Sequence, residues 1–262
     1  MSATVQEADP AVRELAHWRR SRPTVPEALA SLLGTVIVAL FLLTFVLQPY
    51  LIPSASMERT LLVGDFLLVN KQIYAPSDWF ARRFLPYRAV RRGDIVIFHA
   101  PDDPARYYVK RVIGMPGDHL RIAGKRVYVN GTALDEPYAV FDSAPAGASA
   151  EDFPARVYTD PNVDPAWWRR MQRLTRDGEL TVPPQQYFVL GDNRDDSRDS
   201  RDWGFVPRQA IVARPLFIYF SLSQPPAHGA QQAPDDRLGH EKVLSARISG
   251  FARWNRIFHV VH

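Results

Sequence analysis

The chain has 262 residues, enough for one large domain or two small ones. With 46% hydrophobic and 23% charged residues and a mean hydropathy of -0.21, it is neither wholly disordered nor a many-spanning membrane protein. The absence of cysteine excludes a disulfide scaffold, thiolate zinc sites, Fe–S clusters and a cysteine nucleophile, and a net charge of only +4 suits an anionic membrane surface better than nucleic acid.

Ala28 to Leu47 is an unbroken run of twenty uncharged residues. A helix of that length is about 30 Å long, which matches a bilayer core. Pro26 lies near its start and Pro49 just beyond its end. Arg13, Arg19, Arg20 and Arg22 precede the run, whereas Arg59 alone follows closely. The positive-inside rule then sets the N-terminus in the cytoplasm and the rest outside. Two other readings stand beside a retained anchor. One is a buried core helix. The other is a cleaved signal peptide, for which Ser54-Ala55-Ser56 supplies small residues, although the apolar run exceeds the usual h-region.

After Pro53 the sequence reads as short strands separated by turn signals. Phe66–Val69 and Ile95–Phe98 each follow a Gly-Asp pair. Tyr107–Ile113 alternates, with Tyr107, Val109, Arg111 and Ile113 on one face and Tyr108, Lys110 and Val112 on the other. Leu120–Ile122 and Val127–Val129 read as a hairpin, and Asn130-Gly131 as a turn. Residues 143–185 read as an irregular insertion with a short helix near Pro165–Leu174. Tyr187–Leu190 and Ile211–Leu222 are further strands, and Gln224–Leu238 is a polar, proline-rich loop.

Several site types are missing. There is no Gly-x-Ser-x-Gly elbow, no paired-histidine zinc motif and no phosphate loop. The acidic stretch 192–202 lacks the glycine and glutamate of a calcium loop. Its interleaved Arg194, Arg198 and Arg201 suggest an arginine–aspartate network instead. What remains is a serine-rich turn, Pro53-Ser54-Ala55-Ser56-Met57, with no histidine close in sequence. A lysine can replace histidine as base when burial lowers its pKa. Lys110 is the candidate, placed in an apolar strand. Taken alone, such a lysine is more often one that snorkels to the surface.

Four stretches together resemble the bacterial type I signal peptidases, which use a serine–lysine dyad. They are Pro53–Met57 with Thr60-Leu61, then Gly64–Lys71, then Arg92–Val96 with Tyr108–Asp118, and finally Gly191–Arg201 with Trp203-Gly204. Arg253–Ile257 is a weaker match. Arg59 departs from the family's frequent proline. The resemblance implies a mainly β, largely antiparallel catalytic domain after one transmembrane helix, with a β insertion. The implied organisation is a cytoplasmic segment 1–27, a transmembrane helix 28–48, a catalytic core 49–118 and 187–262, and an inserted subdomain 119–186.

It also implies roles. Ser56 is the nucleophile and Lys110 the general base. Ser54 lines the oxyanion hole, Ser197 orients the Lys110 amine, and Asp199 with Arg201 supports the site. The implied reaction is removal of signal peptides from exported preproteins, after small residues, at the outer surface of the bacterial inner membrane. The expected partners are those signal peptides, the lipid bilayer and the neighbourhood of the secretion channel. No cofactor, metal or nucleic acid is expected, and the chain is expected to act as a monomer. Two rivals remain. A self-cleaving repressor-type serine–lysine peptidase is cytosolic and lacks an anchor. A membrane-anchored β module that binds envelope partners without catalysis gives Ser56 and Lys110 no special status.

Overall fold

The computed structural model describes residues 24–41, 47–74, 88–101, 103–141, 152–154, 163–223 and 252–262. The loop expected at 224–238 lies outside them, as does most of the stretch between 142 and 162. The chain divides into a unit ending at Val46 and a unit from Leu47 to His262.

The first unit contains helix α1 (Val25–Phe41). Its Leu29, Leu32, Leu33, Ile37, Val38 and Leu40 side chains are all exposed. At 17 residues it is about 25 Å long. Among the described residues no helix is long and apolar enough to cross a membrane. The expected helix 28–48 therefore needs correction at its far end: Leu47 and Gln48 belong to strand β1 (Leu47–Leu51). They pair with Asn70 and Val69. An uncharged sequence does not distinguish helix from strand here; the ladder to a neighbouring strand does. Pro49 is tolerated because β1 is an edge strand.

In the second unit β1 is followed by β2 (Asp65–Asn70), β3 (Ile95–His99), β4 (Tyr107–Gly114), β5 (His119–Ala123), β6 (Arg126–Val129) and β7 (Thr132–Ala133). Helix α2 (Pro165–Leu174), β8 (Thr175–Arg176), β9 (Glu179–Thr181) and β10 (Gln186–Leu190) come next. The short helix α3 (Ser200–Trp203), β11 (Val206–Pro207) and β12 (Ile211–Ser221) complete the order. A seven-stranded sheet runs β1-β2-β12-β3-β4-β10-β11, and a five-stranded sheet runs β7-β6-β5-β9-β8. Every ladder between these strands is antiparallel. The unit is mainly β, as expected. Register shifts at Pro215/Phe217 and Ile218/Phe220 bend the long β12, which pairs with both β2 and β3.

Residues form these elements for local reasons. In α2, Asp164 caps the N-terminus by accepting from the Ala166 and Trp167 amides, and Pro165 starts the first turn. The helix buries Trp167 and Met171 and turns its arginines outward. The β8–β9 hairpin, which the sequence reading leaves inside an irregular insertion, turns on Asp177-Gly178, both at positive φ.

Three apolar clusters hold the sheets, one of them built from Val96, Phe98, Val112, Val189 and Trp203, and two others reach the site and the insertion. Of those two, one includes Ile52, Met57, Leu61, Leu67, Ile97, Val109 and Ile218. The other joins Leu120, Ile122, Trp167 and Leu180 to Ile113, Phe188 and Phe205, so packing runs unbroken across the expected boundary of the insertion. Each such fully buried side chain contributes roughly 1.5–3 kcal/mol.

Candidate active site

Lys110 sits on β4, opposite Val96 of β3. It is only 4% exposed, because β4 is buried on both faces from Val109 onward. Its Nζ stands 2.6 Å from Ser56 Oγ. Burial disfavours the ammonium and lowers the Lys110 pKa to about 8, against a smaller opposing pull from Asp199. That carboxylate is already held. Arg201 grips it through Nε and Nη2, each at 2.8 Å, and the Gly191 amide donates to it at 3.0 Å. Burial raises the Asp199 carboxyl, but Arg201, with Lys110 and the Gly191 amide, outweighs this and keeps it below its usual value. The Arg201 charge also opposes protonation of Lys110. An amine that titrates near 8 is substantially neutral when it faces a serine at mildly alkaline pH.

Ser56 lies in a single 3-10 turn, Ala55–Met57, pinned by the buried Met57 side chain. Ser54 precedes the turn in extended conformation, with its hydroxyl 3.4 Å from that of Ser56. The Asn193 amide donates to the Ser56 carbonyl at 3.2 Å. Two residues after the turn, Arg59 adopts φ 80. Proline is locked near φ of about −65° and cannot take this conformation. Arg59 thus stands at a position where proline would not fit this backbone.

The loop Gly191–Asp199 presses against this turn. At Gly191 a Cβ would overlap Ser197 Oγ and the Ser56 carbonyl oxygen, so only glycine fits. Asp199 also caps α3 in a capping box with Asp202, and Ser200 Oγ accepts from the Val189 amide at 2.9 Å. These contacts tie the loop to β10.

Ser197 requires a correction. Its hydroxyl is buried and makes no hydrogen bond, so the expected bond to the Lys110 amine is not formed. Arg201 Nη2 fixes the loop through the carbonyls of Arg194 and Ser197. This places the Ser197 side chain against Gly191. The arginine–aspartate network is also wired differently. Arg201 pairs within the loop, but Arg194 reaches out to Glu136 at 2.6 Å and Asp195 is met by Lys125 at 3.3 Å.

Two groups of paired side chains that the sequence does not reveal brace the site. Arg111, next to Lys110, holds Asp192 in a two-pronged pair at 2.8 Å, and Thr60 Oγ1 donates to the same carboxylate at 2.5 Å. Buried Asp65 takes Arg256 at 2.6 Å. Arg256 also donates to the Thr60 carbonyl and Arg253 to the Val63 carbonyl. The weak match at Arg253–Ile257 is thus a strap across the loop that follows Ser56. An arginine inside an apolar strand was the one available signal for Arg111.

A cleft of about 330 Å³ opens on Ser56 and Lys110. It is lined by Tyr50, residues 52–57, residues 106–110, Asp196 and Arg198. Among the described residues no group of three or more His, Asp or Glu side chains is arranged to hold a metal.

A family model described as signal peptidase, peptidase S26, matches residues 25–220. The chain is 34% identical over 237 residues to signal peptidase I of Pseudomonas aeruginosa, across 84% of this chain and 80% of that protein. It is 36% identical over 217 residues to a probable signal peptidase I-2 of Synechocystis sp., across 80% of each. With signal peptidase I of Rickettsia typhi the figure is 32% over 218 residues, across 77% of this chain and 83% of that one. The boxes that carry the early resemblance lie inside the matched range, and the chain belongs to the signal peptidase family, peptidase S26.

Proposed function

We propose that this chain is a membrane-bound serine endopeptidase that removes N-terminal signal peptides from exported preproteins, with Ser56 as nucleophile and Lys110 as general base. The observation that carries this reading is the buried amine of Lys110, 2.6 Å from the Ser56 hydroxyl.

In this reading neutral Lys110 takes the Ser56 proton as Oγ attacks the scissile carbonyl. The oxyanion that forms is met by the Ser54 hydroxyl and by backbone amides, including that of Ser56. Lys110 then gives its proton to the departing amine and the acyl-enzyme forms. Water, deprotonated by Lys110, attacks the ester and restores Ser56. Asp199 and Arg201 act behind the dyad, holding each other so that no bare carboxylate stabilises the ammonium.

The substrate is an extended peptide that adds as a strand between residues 50–54 and 107–110. Residues before the cut lie along β4. Apolar surface from Ile52, Met57 and Val109 leaves room for small side chains at the first and third positions before it. We further propose that α1, apolar and exposed along its length, is the described part of the anchor, with the N-terminus cytoplasmic and the β unit extracytoplasmic. Exposed Trp254, Phe258 and Val260 suit work beside a bilayer interface.

The test is preprotein processing by detergent-solubilised full-length protein. Ser56→Ala and Lys110→Ala should each abolish cleavage while near-UV circular dichroism stays native. Processing by either folded variant at a wild-type rate overturns the assignment.

A further inference from the structure

The cleft is bridged near its Tyr107 end. Tyr50 of β1 donates its hydroxyl to the Tyr107 carbonyl at 3.0 Å. The two rings meet edge-on, 6.4 Å apart at 87°. The Tyr107 ring also packs on the His99 ring at 4.7 Å, and His99 is itself tied to the Pro104 carbonyl at 2.7 Å. Burial pushes the Tyr50 hydroxyl up to about 12, so it remains a donor across the working pH range.

The carbonyl that Tyr50 occupies is one a docking strand needs. On the β3 side, the Arg106 carbonyl accepts from the Ala100 amide. Carbonyls alternate along a strand, so Tyr107 O points to the opposite edge. The β10 ladder reaches β4 only at Arg111, Val112 and Gly114. At Tyr107 and Val109, whose backbone groups face that edge, no ladder between the described strands forms there. Tyr107 is three residues from Lys110, about 10 Å along the strand. A peptide cut at Ser56 therefore reaches Tyr107 with about its third residue before the cut.

We propose that Tyr50 is a gate that sets affinity in this groove: its hydroxyl bonds the Tyr107 carbonyl while the groove is empty and must release it before a peptide strand pairs there. The proposal rests on the strand-addition reading above. Its consequence is selective. A peptide long enough to reach Tyr107 must displace the Tyr50 bond, whereas one that stops short leaves the bond intact. The gate thereby weakens the binding of peptides that reach Tyr107 and leaves shorter ones unaffected.

Tyr50→Phe tests this, because it keeps the ring and its edge contact and removes only the competing donor. One net hydrogen bond corresponds to about a fivefold change in affinity. For a peptide with six residues before the cut, Tyr50→Phe should lower KM about fivefold and move kcat less than twofold. For a peptide with two residues before the cut, KM should not change. In a second arm, fluorescence anisotropy follows the long peptide binding to Ser56→Ala protein, with and without Tyr50→Phe; Kd should fall by the same factor. An unchanged or raised KM and Kd for the long peptide overturns the gate, as does an equal fall for both peptides. Failure of wild-type protein to cleave the long peptide counts against the peptidase reading instead, and the binding arm still decides the gate.

Discussion

Replacement of Gly191 by alanine adds one methyl group at the point where the Gly191–Asp199 loop meets the Ala55–Met57 turn. Gly191 is not at positive φ, so its requirement is for space. The new Cβ would lie 2.5 Å from Ser197 Cβ, about 0.9 Å inside the 3.4 Å at which ordinary contact begins. The Ser197 hydroxyl and the Ser56 carbonyl oxygen are closer still, so each must move by about 1 Å. Ser197 can yield by rotation in part. The Ser56 carbonyl cannot, because it is backbone and bonded to the Asn193 amide. A misplacement of about 1 Å in a reacting group costs on the order of a hundredfold in rate. In a fluorogenic peptide assay Gly191→Ala should therefore lose about a hundredfold in kcat while still melting cooperatively. Gly178→Ala is the control: φ is +78 with nothing within 4 Å, so it should cost about 1 kcal/mol of stability and leave kcat alone. A folded Gly191→Ala protein within threefold of wild-type kcat refutes the reasoning.

Further outcomes follow from the buried charges. Lys110 has a folded pKa of about 8 against an ordinary 10.5, so its burial costs about 3 kcal/mol below pH 8. Between pH 8 and 10.5 the unfolded chain binds the extra proton and that cost fades as pH rises. Lys110→Met should thus be more stable than wild type in urea titrations at pH 7, and the margin should shrink by about 3 kcal/mol by pH 10.5; a margin independent of pH contradicts the buried amine. Ser197→Ala removes a hydroxyl that makes no bond and should change kcat/KM less than about threefold, whereas a hundredfold loss would restore an orienting role. Arg256→Met strips the closest charged partner from buried Asp65 and should cost about 2 kcal/mol in chemical denaturation, and a neutral result would remove the strap from the account.

The parts of the fold that could be read from sequence are those whose signals are local. β4 shows alternation over Tyr107–Ile113, and Lys110 interrupts an apolar face, so both the strand and its unusual lysine are visible. α2 announces its own start with Asp164 and Pro165. β1 could not be read, because no charge marks a boundary between Ala28 and Met57 and the switch from helix to strand depends on pairing with β2. The β8–β9 hairpin did carry a signal in Asp177-Gly178, but its strands are only two and three residues long. At the site, Ser56 and Lys110 come together as the motif implies, though they are 54 positions apart. Ser197 does not reach the amine, since the shape of its loop is set by Arg201 bonds to backbone carbonyls. Thr60, Asp192 and Arg111, and likewise Asp65 with Arg256, are joined across 51 to 191 positions. No spacing rule in one sequence reveals such pairs.

The neutral amine of Lys110 as the base for Ser56 is most directly tested by the rate of acyl-enzyme formation as a function of pH. Rapid-quench mass spectrometry on full-length protein in detergent, with an activated ester substrate, reads that step alone. Acylation of Ser56 should rise with pH to a half-maximum near 8 and be absent at every pH in Lys110→Arg, whose side chain stays protonated. A profile flat through pH 8, or acylation that persists in a folded Lys110→Arg protein, would contradict it.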